Sequence, residues 1–113
     1  MKQQSPNEQE IISKSVNPDS CRTILSYSKS ILVNHNIVMT DVQWLSFVSH
    51  ISGMVSRSTY KELIPPIEKE IFSEVSEESI MLASEICRQL EHLQDDEKYL
   101  LSIHIETAKL NKK

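Results

Sequence analysis

Residues 40–57 read TDVQWLSFVSHISGMVSR, and this stretch decides the fold class of the chain. Thr40 and Asp41 are both residue types that cap helix N-termini, and the stretch contains no proline. At about 100° per residue, its large apolar side chains gather on one broad face. The pattern therefore predicts an amphipathic helix that buries Trp44, Phe47, Val48, Ile51, Met54 and Val55.

Similar signals divide the rest of the chain into helices. NPDS at 17–20 combines capping side chains with a proline suited to a first turn, and SEES at 76–79 places acidic residues near the positive end of another helix. Glycine occurs once and hairpin signals are absent, so strands joined by tight turns are not expected. We predict an all-α, compact five-helix antiparallel bundle with helices at about 18–33, 40–58, 66–75, 76–94 and 95–113.

Length and composition favour a single globular domain. The 113 residues are 39% hydrophobic and 25% charged, which suits one hydrophobic core. Residues 1–16 are mostly polar and are expected to form a flexible N-terminal tail, which leaves residues 17–113 as one helical domain. The net charge of -4 argues against direct binding of nucleic acid.

The cysteines and the hydropathy pattern indicate a cytoplasmic protein. Cys21 and Cys87 are far apart in a sequence without a secretory signal, so we expect both thiols to be free. No stretch approaches the roughly 20 apolar residues that span a bilayer, so no membrane association is expected.

His50 and Arg57 share one side of the predicted helix at 40–58. His50 lies about 120° from the centre of the apolar face, so we expect it to be accessible, and Arg57 lies within about 20° of the same direction. The guanidinium group could reach back toward an anion near the imidazole, and a phosphate would suit this pair. Gly53 leaves a gap between them where another helix or a partner could approach. The alternative is an ordinary boundary histidine above a solvated arginine.

His104 is placed differently on the last predicted helix. It falls in the middle of the stripe formed by Leu100, Leu101 and Ala108, so it should be partly or largely buried against another helix. Burial would lower its affinity for a proton. The alternative is a core histidine whose hydrogen bonds are satisfied and which has no chemical role.

The sequence offers little for an enzyme. It has no paired His-x-x-x-His or Cys-x-x-Cys spacing, so no metal site is expected. It has no glycine-rich phosphate loop, and we predict no catalytic residues and no cofactor.

Two segments together carry a family resemblance. WLSFVSH at 44–50 is followed seven residues later by Arg57, and EKYLLSIH at 97–104 places an acidic residue and an aromatic before His104. In this combination the chain resembles the phosphotransferase-system regulation domain, or PRD, a helical module of bacterial antiterminators and transcriptional activators. The resemblance covers about residues 18–110.

The resemblance implies a non-enzymatic regulatory domain that controls carbohydrate-related transcription. It makes His50 and His104 phosphoryl acceptors and Arg57 a phosphate-orienting residue. The phosphoryl donors would be the histidine-containing phosphocarrier protein or a sugar-permease component, and the domain would act as a homodimer. Family members usually carry two copies joined to an output module, whereas this chain has one copy, so a separate regulator protein is a further possible partner. The alternative is a helical dimerisation or interaction protein without phosphorylation.

Overall fold

The computed structural model describes residues 7–111, and within this range the chain is all-α, as the sequence predicts. A 3-10 turn at Lys69–Phe72 lies between the third and fourth helices. The α-helices are α1 at Asn7–Ser13, α2 at Pro18–Asn34, α3 at Asp41–Tyr60, α4 at Glu77–Cys87 and α5 at Glu97–Lys109.

The helix starts follow from capping residues near those predicted. The side chain of Asn17 accepts a hydrogen bond from the backbone N–H of Ser20 at 3.1 Å, and Pro18 opens α2. Thr40 and Gln43 form a reciprocal capping box at the start of α3. Ser76 caps α4 by accepting from the N–H of Ser79 at 3.2 Å. Three of the predicted start sites are therefore confirmed.

The segment predicted as a polar tail differs from that expectation between Asn7 and Ser13, where the chain forms α1. Residues 1–6 of the predicted tail lie outside the described residues. Ile12 is only 4% exposed and joins the main core, and α1 packs against α2 and α3. One buried isoleucine on a short polar helix is a weak sequence signal, since most stability of a short helix comes from tertiary packing.

The prediction of a helix at 66–75 is wrong, because the structure has only the 3-10 turn there. Pro65 and Pro66 lack backbone N–H groups and hold the chain outside helical geometry. Phe72 is buried and its ring lies 5.7 Å from the ring of Tyr99, while Ile71 remains exposed. Phe72 alone anchors this connection in the protein, and no second buried apolar residue one turn away gives residues 66–75 the apolar face of a helix.

The helix predicted at 76–94 is also too long. α4 ends at Cys87, and the chain then turns, with His92 in the left-handed backbone region at φ 60°. The hydroxyl of Ser58 donates to the carbonyl of Glu91 at 2.5 Å, and the backbone N–H of Ile64 donates to the side chain of Gln94 at 3.2 Å. These contacts hold residues 88–94 across the end of α3.

The core is one cluster to which all five helices contribute buried side chains. α4 packs along α5, α5 packs on α3, and α3 packs on α2. On α5, Ile103 and Leu110 are 44% and 77% exposed. The buried face of α5 consists of Glu97, Leu101, Ser102, Ile105 and Ala108.

Candidate functional site

The interface between α3 and α5 brings His50 and His104 together. Their ring centroids lie 5.0 Å apart with a 52° tilt, and Phe47 packs its ring edge-on against His104 at 6.2 Å. Both histidines are partly buried. Nε2 of His50 is fully buried and has no hydrogen-bond partner among the described residues. The two predicted acceptor residues therefore form one compact pair.

Both imidazoles are held in the neutral form at neutral pH. Burial, followed by the neighbouring His104 and the charge of Arg57, lowers the pKa of His50 to about 4. Burial also lowers the pKa of His104. A neutral imidazole has a nitrogen lone pair, which a nucleophile or a phosphoryl acceptor needs.

Arg57 forms a bidentate ion pair with Glu97. Its Nε donates to Oε2 of Glu97 at 2.5 Å and its Nη2 donates to Oε1 at 2.8 Å. The Glu97 side chain is 0% exposed and the Arg57 side chain is 24% exposed. The pair thus fixes the plane of the guanidinium group and ties α3 to the first turn of α5.

The register of the two helices explains why these four side chains meet. Arg57 follows His50 by seven residues, and His104 follows Glu97 by seven residues. Seven residues span two helical turns, roughly 10 Å, and keep nearly the same direction. Because α3 and α5 run antiparallel here, His50 lies opposite His104 while Arg57 lies opposite Glu97.

The sequence around this site matches a known family. The model of the PRD domain matches residues 26–108, a range that contains both histidines, Arg57 and Glu97. The chain belongs to the PRD domain family. The similar solved structures include a PRD-containing transcription regulator from Lactobacillus casei ATCC 334. It is 28% identical over 96% of this chain and 97% of that chain, with a TM-score of 0.89. No curated protein matches the chain.

In this PRD domain the predicted accessibility of His50 is wrong, because its ring is partly buried and its Nε2 has no solvent contact. The predicted partial burial of His104 is confirmed. A helical wheel gives the direction of a side chain relative to its own helix. It does not show that α5 covers the side of α3 on which His50 lies.

Glu97 is the site residue whose role the sequence interpretation missed. Arg57 was expected to reach toward an anion, but Glu97 occupies two of its three nitrogens. The signal was present in the sequence, because Glu97 shares a stripe with Leu101, His104 and Ala108 at spacings of four, three and four. A carboxylate on the buried stripe of a helix indicates a buried, paired charge.

A second polar cluster joins the start of α4 to the end of α5. Glu106 accepts from the hydroxyls of Ser76 at 2.9 Å and Ser79 at 2.6 Å, and Lys109 forms an ion pair with Glu78 at 3.0 Å. The hydroxyl of Ser79 lowers the pKa of Glu106. This cluster holds the two helices in position and lies apart from the histidine pair.

The remaining histidines and cysteines do not join the site. His35 contacts Glu78 at 3.2 Å and His92 lies in the turn after α4. Burial, followed by the charge of Glu97, raises the pKa of Cys87 to about 12. Cys21 and Cys87 are not bonded to each other.

Within residues 7–111, no group of three or more histidine, cysteine or acidic side chains is placed to hold a metal ion. In the same range, no helix combines the length and apolar character that crossing a membrane requires.

Proposed function

We propose that this PRD domain is a non-enzymatic regulatory module that accepts a phosphoryl group on His50 or His104. The donor would be the histidine-containing phosphocarrier protein or a sugar-permease component, and the signal would control carbohydrate-related transcription from the cytoplasm. Membership of the PRD family and the similarity to a PRD-containing transcription regulator support the transcriptional role.

The observation that carries this proposal is the pair of neutral imidazoles with a guanidinium group beside them. Their lowered pKa values keep a ring nitrogen unprotonated at neutral pH, and Arg57 supplies a fixed positive charge for a phosphoryl group. A phosphoryl group brings a charge of about -1.5 to -2 into a packed interface. Such a charge would change the electrostatic interactions between α3 and α5.

Phosphorylation of Nε2 of His50 requires movement at the α3–α5 interface, because this atom is buried. We expect the phosphoryl group to stabilise a local rearrangement of the two helices around the histidine pair and so alter the surface offered to a partner. We propose that the partner is a second copy of the chain or a separate regulator protein. Light scattering before and after phosphorylation would detect a change of oligomeric state. An unchanged monomer at high concentration in both states would contradict the homodimer.

The direct test is incubation with the phosphocarrier protein, its kinase and labelled phosphoenolpyruvate. We expect acid-labile label in the wild type, less label in His50→Ala and in His104→Ala, and none in the double variant. Variants His35→Ala and His92→Asn are matched controls, since both histidines lie outside the pair, and Asn tolerates the left-handed backbone of residue 92. Equal label in the double variant and the wild type would exclude this pair as the acceptor.

The buried Nε2 of His50 also favours a second candidate function, an interaction protein that is not phosphorylated. In that case the two histidines only fill the interface between α3 and α5. Replacing both with glutamine would then leave dimerisation and partner binding intact. Loss of partner binding specifically on phosphorylation would exclude this alternative.

A further inference from the structure

Gly53 is unexplained by the fold. It is the only glycine of the chain, and it lies in the interior of α3 with an ordinary helical backbone, since no glycine has positive φ. Glycine is among the least favourable residues inside a helix. A Cβ atom at this position would meet only Nη1 of Arg57, at 3.4 Å, which is an ordinary contact with a flexible side chain. Neither the backbone nor the packing requires glycine here.

Arg57 presents an unused edge over the same position. Its Nε and Nη2 donate to Glu97, whereas Nη1 has no acceptor among residues 7–111 and lies beside Gly53. A guanidinium group has five N–H donors, so the pair with Glu97 leaves the donors on Nη1 for another anion. Glu97 therefore orients Arg57 without using all of its hydrogen-bonding capacity.

His50 lies on the other side of Gly53. His50 precedes Gly53 by three positions, a rise of about 4.5 Å, and the side chains of His50 and Arg57 share one side of α3. The positive charge of Arg57 contributes to the lowered pKa of His50, after burial and the neighbouring His104. The space over Gly53 is thus bordered by two N–H groups of the Arg57 guanidinium, and His50 lies about one helical turn away on the same side of α3.

We propose that the space over Gly53 holds the oxygens of the phosphoryl group carried by His50, with Nη1 of Arg57 donating to them and Glu97 acting as the positioning residue. We call this space the Gly53 site. The inference rests on the proposed function, since it specifies how the same histidine would be phosphorylated.

The group-transfer step is balanced without any further reactant. The lone pair of a His50 ring nitrogen forms the new N–P bond while the P–N bond of the donor breaks. The electron pair of that bond returns to the departing nitrogen, which leaves as a neutral amine or imidazole. The second ring nitrogen of His50 keeps its proton. Nη1 of Arg57 donates to the equatorial oxygens throughout and takes no proton.

Potassium phosphoramidate, a small chemical phosphoryl donor, tests the Gly53 site without a donor protein. The reaction is followed by 31P NMR in a His104→Gln background, so that His50 is the acceptor in the pair. We expect Gly53→Ala to slow phosphorylation of His50 roughly tenfold to a hundredfold, the size of a lost charge-assisted hydrogen bond. The same substitution should raise the thermal midpoint by several degrees, because alanine is the better helix former.

Matched variants separate positioning from folding. Ser46→Ala, at an exposed site one turn before His50, should leave the rate unchanged. Glu97→Gln should slow the reaction, and Glu97→Asp should recover part of the rate because it keeps the carboxylate. A Gly53→Ala variant that is labelled as fast as the background would overturn the proposal. So would slowing that occurs only together with loss of stability.

The outcomes also distinguish this inference from the proposed function. If phosphoramidate labels His50 but neither the phosphocarrier protein nor a sugar-permease component labels the wild type, the regulatory proposal fails and the Gly53 site stands on the variant rates. If no donor labels His50 in the background variant, the Gly53 site is refuted, and the regulatory proposal then depends on labelling of His104 in the wild type.

Discussion

Lowering the pH should destabilise the folded domain through His50. Burial, together with His104 and Arg57, lowers the pKa of His50 from 6.5 to about 4. The unfolded chain therefore binds a proton at a higher pH than the folded chain does. Stability due to this residue is fully present above 6.5 and is lost as the pH falls through the window from 6.5 to about 4.

The size of the effect follows from proton linkage. With these two pKa values, the free energy of unfolding falls by about 1.4 kcal/mol at about pH 5.5 and by about 2.6 kcal/mol at about pH 4.5. The ring of His50 keeps some solvent contact, so these values are upper limits. His104 acts in the same direction, because burial lowers its pKa as well.

Urea denaturation at a series of pH values measures the effect. The comparison is between the wild type and His50→Gln, with His92→Asn as a control outside the site. Carboxylates such as Glu106 lose stabilising contacts at low pH in every variant, so the difference between the curves isolates His50. We expect the difference to shrink as the pH falls, by up to about 2.6 kcal/mol. A difference that stays constant with pH would refute the assignment of a lowered pKa.

Three further outcomes follow from the same site. Glu97→Ala should lower the free energy of unfolding by about 3–5 kcal/mol, because Arg57 loses its buried partner. In urea denaturation, the double variant Arg57→Met, Glu97→Leu should regain most of that free energy. A double variant whose loss equals the sum of the losses of the single variants would contradict this. At mildly alkaline pH, Cys87 should react with iodoacetamide far more slowly in the native domain than in urea, since burial raises its pKa to about 12. Equal rates would count against burial of the thiol. Intact mass spectrometry should find one phosphoryl group per chain and not two. Two such groups on His50 and His104, within about 7 Å of each other, would repel by about 5–10 kcal/mol at an effective dielectric constant near 20. A doubly phosphorylated species as a major product would contradict this.

The histidine pair and the Arg57–Glu97 ion pair share one helix interface. The histidine pair and the Arg57–Glu97 ion pair lie two turns apart on the same contact between α3 and α5. A negative group arriving near His50 adds a second anion beside Arg57, whose other partner is already the buried Glu97. Charge added at one end of the interface thus acts on the interaction that holds its other end together.

Capping chemistry made most helix starts predictable, because it depends on residues within one turn. Asn17, Thr40 and Ser76 each accept a hydrogen bond at the start of the helix that follows. The end of α4 was less predictable. Contacts with Ser58 and with the backbone of Ile64 hold the following turn, and these partners are about 30 residues away in sequence.

The sequence by itself determined the helical class, the two seven-residue spacings and the PRD resemblance, because these depend on residue order along single helices. It placed His50, Arg57 and His104 on particular sides of their helices. Only the tertiary structure decided that α5 packs antiparallel on α3, so that the two histidines become neighbours and Arg57 meets Glu97. The physical reason is that a periodic pattern gives a side chain's direction from its own axis. Burial, pairing and the lowered pKa values depend on what lies opposite.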